Sequence, residues 1–221
     1  ENAAVRGTYY FSATLAGRVV DGVRQYDRKD LLELSNAGHE LGCHTFDHTP
    51  VRNLSSRELD RQISFNKRFL SSTGCESDLQ SFAYPYGDVG LASRRHLAGY
   101  FAACRGVWAG INGTSADLAL LKSVCLEPHI LARTSATYWI ERARNVGGWL
   151  IFTTHDIDDN HTRFGVSPRY LESVVNSAIA SGARILPVSQ ALSTIREECS
   201  TTTARGTRQL LRSAEPRYPA N

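Results

Sequence analysis

The stretch Glu40-Leu41-Gly42-Cys43-His44-Thr45-Phe46-Asp47-His48 decides how this chain is read. Its first four residues make a short, largely apolar strand, and the strand runs straight into two histidines four apart. On one helical turn, or in a tight loop, both imidazoles point the same way and can bind one divalent metal. The other reading of the pair is two unrelated surface or capping histidines. Zinc is the default cation for nitrogen and oxygen donors, and imidazole also suits iron, cobalt and nickel. Asp47 points elsewhere if 44 and 48 share a face, so it reads as a residue that orients the loop.

Outward from this stretch, short apolar runs alternate with amphipathic ones. Residues 7–13 (GTYYFSA) read as a strand, 30–37 as a short helix stopped by Gly38, and 81–84 as a third strand. Further strands are expected at 100–104, 120–126, 149–154 and 184–188. Ser55 and Glu58 have the spacing of a reciprocal cap opening a helix, with Leu59, Ile63 and Leu70 on one face and Gly74 as its stop. Other helices are expected at 92–98, from Thr134 or Ser135 to 145, from Ser167-Pro168 to Gly182, and at 189–198. In the Ser167-Pro168 helix, Leu171, Val174, Val175, Ala178 and Ile179 form the expected core face. Seven strands separated by helices imply a parallel α/β fold, a (β/α) barrel of the kind that carries its chemistry after the C-terminal ends of its strands.

The reactive residues obey that rule. His44 and His48 follow the second strand, Tyr84-Pro85-Tyr86-Gly87 the third, and His155-Asp156 the sixth. Random placement would scatter them over both rims. His155, mounted directly on a buried strand, suits a general acid, because imidazole titrates near neutrality; the plainer reading is a satisfied core histidine. The Tyr-Pro-Tyr-Gly loop could turn a backbone N–H towards a developing oxyanion, or be a simple turn. Trp108 and Trp139 suit a core or a groove lining.

Composition narrows the class. At 42% hydrophobic and 21% charged, the 221 residues are too apolar for disorder. The longest apolar run, 149–152, is far short of the roughly 20 residues a membrane helix needs. The opening ENAAVRG lacks a basic-then-apolar segment, so no secretory leader is expected in it. The formal charge of +3 resides in the last stretch, where Arg205, Arg208, Arg212 and Arg217 face Glu215. Residues 1–199 are therefore neutral and show no basic face for nucleic acid. They are expected to form the domain, with 200–221 a flexible basic tail. Five scattered cysteines without a CxxC read as thiols, Cys43 and Cys104 inside strands, and lean towards a reducing, cytoplasmic compartment.

These residues resemble a known family. HTFDH (His44 to His48) is similar to the metal motif of the NodB-homology polysaccharide deacetylases, carbohydrate esterase family four. FAYPYG (Phe82 to Gly87) resembles their third motif, and TTHD (Thr153 to Asp156) their final histidine motif. Order and spacing agree across about residues 7 to 192. The resemblance implies a distorted (β/α) barrel and a divalent cation, zinc first, held by an aspartate and two histidines. A neighbouring aspartate would be the base. His44 and His48 would be the ligands and His155 the acid. Tyr86 would lend its backbone N–H to the oxyanion, and Tyr84, Pro85 and Trp108 would meet the carbohydrate.

Three departures from the family pattern shape what is expected. The family's opening T-F-D-D-like motif lies upstream of the strand that GTYYFSA resembles. The chain also holds no Met, so a barrel without its first strand, an impaired activity and exposed edges that favour a homo-oligomer are expected. The family's third motif has an arginine where Ala83 stands. Its fourth motif has no clear counterpart, Asp117 being the candidate. The resulting expectation is a metal-dependent hydrolase removing acetyl groups from N-acetylated sugars or cleaving a related non-peptide C–N bond. A non-catalytic carbohydrate-binding or scaffold barrel, and a metal-dependent esterase or cyclic-imide hydrolase, are the alternatives.

Overall fold

The computed structural model describes residues 5–20, 22–75, 78–131 and 134–213, with side chains as far as residue 200. In chain order, β1 (Thr8–Phe11) precedes a small hairpin, β2 (Val19–Val20) and β3 (Val23–Arg24). Then come α1 (Arg28–Asn36), β4 (Glu40–Cys43), α2 (Ser56–Ser71), β5 (Ser81–Ala83), α3 (Leu91–Leu97) and β6 (Ala103–Arg105). The rest is β7 (Val124–Cys125), α4 (Pro128–Leu131), α5 (Ala136–Val146), β8 (Phe152–Thr153), α6 (Pro168–Ala180) and α7 (Val188–Ser213).

Local chemistry sets the helix ends. Ser55 accepts from the Glu58 N–H while the Glu58 carboxylate accepts from the Ser55 N–H, closing the expected reciprocal cap of α2. Ser135 caps α5, and Gly147, at φ 58°, ends it in the left-handed conformation that glycine adopts without strain. Ser167 caps α6 with Pro168 in its first turn.

Four strands form a parallel sheet in the order β1-β4-β5-β6, and β7 pairs with β8, also parallel. Leu121 links the two sheets. It bridges to Arg105 in parallel, and its N–H donates to Cys104 O at 2.8 Å. The chain therefore runs around a parallel arc with a helix after most strands, the expected α/β alternation.

Residue alternation gives each strand two faces. Phe11, Leu41, Cys43, Phe82 and Cys104 point outward into one core with Leu31 of α1, Leu59, Ile63 and Leu70 of α2 and Leu97 of α3. Each such apolar side chain contributes about 1.5–3 kcal/mol on burial. Cys43 and Cys104 are buried free thiols, as expected. Asn66 ties α2 to the sheet, accepting from Ala13 N–H and donating to Phe11 O. A second core joins Val124, Leu126, Ile140, Val166 and Val174 beneath α5 and α6.

The other face lines the interior in layers. Lowest are Thr8, Glu40 and Ser81, whose hydroxyls donate to the Glu40 carboxylate at 2.9 and 2.6 Å. Above them lie Tyr10 with its register partner Gly42, and Ala83 with its register partner Arg105. His44 stands above these, at the C-terminal rim.

The expected strand at 184–188 is absent, and this is a correction. Pro187 has no N–H for a ladder, and its carbonyl instead accepts from Ala191 N–H as α7 begins. The first turn of α7 closes the bottom of the arc, with Val188 N–H donating to Thr8 and Ser189 N–H to Glu40. That helix continues to Ser213 rather than ending at 198, and residues 214–221 of the expected tail lie outside the described residues. The expected strand at 120–126 breaks because Asn112 diverts it, its amide accepting from Lys122 N–H and donating to Lys122 O. The strand expected at 149–154 shortens to β8, which is half-buried rather than buried on both faces. The strand expected at 100–104 begins only at Ala103. On α6 only Val174 is fully buried, and Ile179, placed in its core face, is 47% exposed.

Candidate active site

His44 leaves β4 and His48 returns to it through a strained loop. Thr45 and His48 have φ of 63° and 60°, a region that is costly for side chains other than glycine. The surroundings impose it: the His44 carbonyl accepts from both Ser12 and Thr45 hydroxyls at 2.6 Å, and Phe46 N–H donates to Gln62 Oε1. Asp47 points away, bonded to Gln62 and to Thr49 N–H, and so organises the loop as expected.

The loop brings the rings of His44 and His48 to 4.9 Å. His44 Nδ1 donates to Ala83 O at 2.7 Å, which leaves Nε2 with its lone pair. Burial pushes the His44 imidazole down to about 3, and the charges of Arg105, His48 and His155 act in the same direction. Burial also holds His48 below the usual histidine range, with His155 adding to the shift. Both rings are thus kept neutral, the form a metal requires. The donor chemistry fits two ligands of a divalent cation. Among the described residues no third His, Cys, Asp or Glu completes such a group.

His155, just after β8, is near enough for its charge to act on both His44 and His48. Its side chain is 70% exposed, so it is not a satisfied core histidine. Nδ1 lies 3.1 Å from Glu127 Oε1 and 3.3 Å from Phe164 O. Glu127, just beyond β7, is 2% exposed. The sequence reading missed it, although its place at a strand's C-terminal end was the available signal. Arg105, at the end of β6, was missed for the same reason. Asp117 is not at this site: it pairs with Arg94 and accepts from Ala119 N–H.

Tyr86, at φ 58°, sits in a tight turn with its ring 4.6 Å from that of His48 and is exposed to solvent. Tyr84 and Pro85, expected to meet a carbohydrate, are both buried. Tyr84 is buried against Phe82, its hydroxyl donating to Ala119 O, and Pro85 is buried in the turn. Trp108 is 68% exposed on the loop whose Val107 packs on Gly87. Trp139 packs at the edge of the second core.

Fold and site together describe a (β/α) protein with a histidine-lined mouth at the C-terminal rim of its parallel strands. Residues 2–100 match the family model described as polysaccharide deacetylase. The fold is similar to that of a family 4 acetyl xylan esterase from Clostridium thermocellum in complex with a cobalt ion (TM-score 0.58, 15% identity, covering 89% of this chain and 80% of that one). It is also similar to a family-four pseudoenzyme from Bacillus anthracis (TM-score 0.55, 14% identity, 86% and 57% covered). A polysaccharide deacetylase from Bacillus cereus matches over 54% of this chain at 16% identity (TM-score 0.46), and the match spans 37% of that protein's length. No curated protein matches the chain.

Proposed function

We propose that the protein is a metal-dependent hydrolase of the polysaccharide deacetylase type, acting on N-acetylated sugars or a related non-peptide C–N bond. The observation that supports this reading is the His44–His48 ring pair, 4.9 Å apart, with His155 near enough for its charge to act on both. His44 and His48 would hold the cation, zinc by donor type, with cobalt, nickel or iron as substitutes. When bound, such an ion polarises the acyl carbonyl and supplies an activated water.

The chain's own residues supply the remainder. The Ala83 carbonyl fixes the His44 tautomer. His155 carries the proton that goes to the departing amine, and the buried Glu127 carboxylate holds its Nδ1–H so that Nε2 faces outward. The left-handed turn at Tyr86 orients a backbone N–H for the oxyanion, and the exposed Trp108 ring offers a stacking face to a sugar. Acetate release from an acetylated chito-oligosaccharide tests the reading. Release that depends on added metal and is lost in His44→Ala supports it; none from any acetylated glycan or small amide, with metal bound, overturns it.

A second reading is a carbohydrate-binding protein without turnover. It is favoured by the lack, among the described residues, of a third metal donor beside the pair. Calorimetry with the same oligosaccharide separates the two, since saturable heat without acetate release belongs to the second.

A further inference from the structure

The His155 side chain is 70% exposed, so packing alone does not hold its ring. An exposed side chain keeps its rotamer freedom unless a few contacts fix it. Here one contact comes from Glu127 and another from Phe164, on the loop that follows β8. The Phe164 carbonyl accepts from the His155 N–H at 3.2 Å and lies 3.3 Å from Nδ1, so one oxygen with two lone pairs steadies both backbone and ring. The Phe164 ring lies 5.6 Å from the imidazole, and the Arg163 guanidinium lies 4.5 Å from the centre of that phenyl ring.

Phe164 is in turn held by a relay of hydrogen bonds that begins at Asp156. Both carboxylate oxygens of Asp156 accept from Thr162, one from its N–H at 2.6 Å and the other from its hydroxyl at 2.7 Å. The same Thr162 hydroxyl accepts from the Phe164 N–H at 3.2 Å. The two ends of the loop meet where Asp156 O accepts from Val166 N–H and Asp158 N–H donates to Val166 O. A Cβ at position 165 would fall 2.5 Å from the Asp156 carboxylate, so glycine there lets the loop close. The Asp156 carboxylate is thus committed to Thr162, and its hold on the imidazole runs through Phe164.

We propose that Asp156 and Thr162 are positioning residues for His155: through Phe164 they hold the ring so that Nδ1 meets Glu127 and Nε2 faces the departing amine. The catalytic consequence rests on the deacetylase reading; the hydrogen bonds stand without it. As the C–N bond breaks, its electron pair leaves with nitrogen. The Nε2 proton of the protonated ring goes to that nitrogen, and the ring is left neutral with its Nδ1–H on Glu127. A general acid displaced by about 1 Å loses much of this transfer. A leaving group that is already a stable anion needs no proton, so its departure does not depend on where the ring stands.

The test compares two substrates on the zinc-loaded full chain. One is an acetylated chito-oligosaccharide, whose amine must be protonated to leave; the other is para-nitrophenyl acetate, whose nitrophenolate need not be. Asp156→Ala and Thr162→Val should each lower kcat on the oligosaccharide about tenfold, with KM and metal content unchanged, and leave the aryl ester within about twofold of wild type. Asp156→Asn still offers Thr162 an acceptor oxygen and an N–H, and should keep the oligosaccharide kcat within about threefold. Asp159→Ala removes a charge from the same loop without touching the Thr162 bonds and should match wild type. Equal losses on both substrates, a wild-type kcat in Asp156→Ala, or a loss in Asp156→Asn or Asp159→Ala as large as that in Asp156→Ala overturns the proposal. A readout independent of turnover is the nuclear Overhauser contact between the Phe164 and His155 rings in the metal-free chain. It should be present in wild type and lost in Asp156→Ala and Thr162→Val; its persistence in both variants overturns the proposal. Should the wild type release no acetate, the deacetylase reading fails and these spectra decide the relay by themselves. Should Asp156→Ala fail to fold by circular dichroism, Thr162→Val and Asp156→Asn decide.

Discussion

Glu127 Oε1 lies 3.1 Å from His155 Nδ1, joining a buried carboxylate to an exposed imidazole across 28 residues of sequence. The carboxylate fixes which ring nitrogen carries the proton and which faces the mouth. Glu127→Gln keeps the shape but loses the charge that stabilises a protonated ring. It should lower kcat for acetate release about 10- to 100-fold, leaving KM and metal content unchanged. A kcat equal to wild type would show that the pair only braces the loop.

His44 and His48 differ from Asp47 in what they offer a cation. Both imidazoles are held neutral, while the Asp47 carboxylate is occupied by Gln62 and Thr49. His44→Ala and His48→Ala should each lower bound metal, measured per chain by elemental analysis, by at least about tenfold in apparent affinity. Asp47→Ala should retain the metal. Loss of metal in Asp47→Ala with retention in His44→Ala would reverse these roles.

Much of this was legible in the sequence. β4, the α2 cap and the α6 opening follow from local chemistry that tertiary packing did not override. The three histidines were singled out because their motifs follow strand ends. Glu127 and Arg105 obey the same placement rule but have no local pattern, and burial of a charged side chain cannot be read from its neighbours in sequence. The strand at 184–188 was wrongly expected because its apolar run outweighed Pro187, whose missing donor decided the outcome. A motif's position on the rim does not say which way each of its side chains points, and the Tyr84 hydroxyl turns to Ala119 O.

Gly42 tests the packing of the interior directly. Any Cβ there collides with the Tyr10 ring, and the Ser81 hydroxyl lies at 3.0 Å. Gly42→Ala should destabilise by about 1–3 kcal/mol, read from the midpoint of urea unfolding. Gly113→Ala, where a Cβ meets nothing, should change stability by no more than about 0.5 kcal/mol. Equal stabilities for the two variants would show that the Tyr10 side chain does not lie over β4.

Tyr26 gives the fold a dependence on alkaline pH. Its hydroxyl accepts from Ser12 N–H at 2.7 Å and donates to Ser12 O at 2.8 Å, holding the residue whose side chain steadies the His44 carbonyl. Burial pushes the Tyr26 phenol up to about 12. An unfolded chain ionises this group near pH 10, so between about 10 and 12 the unfolded state loses a proton that the native state keeps. The contribution is whole below pH 10 and declines through that window, by up to about 1.4 kcal/mol per pH unit. Burial pushes Tyr10 and Tyr84 in the same direction, so wild-type stability alone does not isolate Tyr26. Tyr26→Phe does isolate it. The variant loses two hydrogen bonds and should be about 1–3 kcal/mol less stable at pH 8. By pH 11 the gap should narrow, because only the wild type has this phenol to keep protonated. Urea unfolding at pH 8, 10 and 11 reads the difference, and a gap that stays constant would mean the Tyr26 hydroxyl is not held at Ser12.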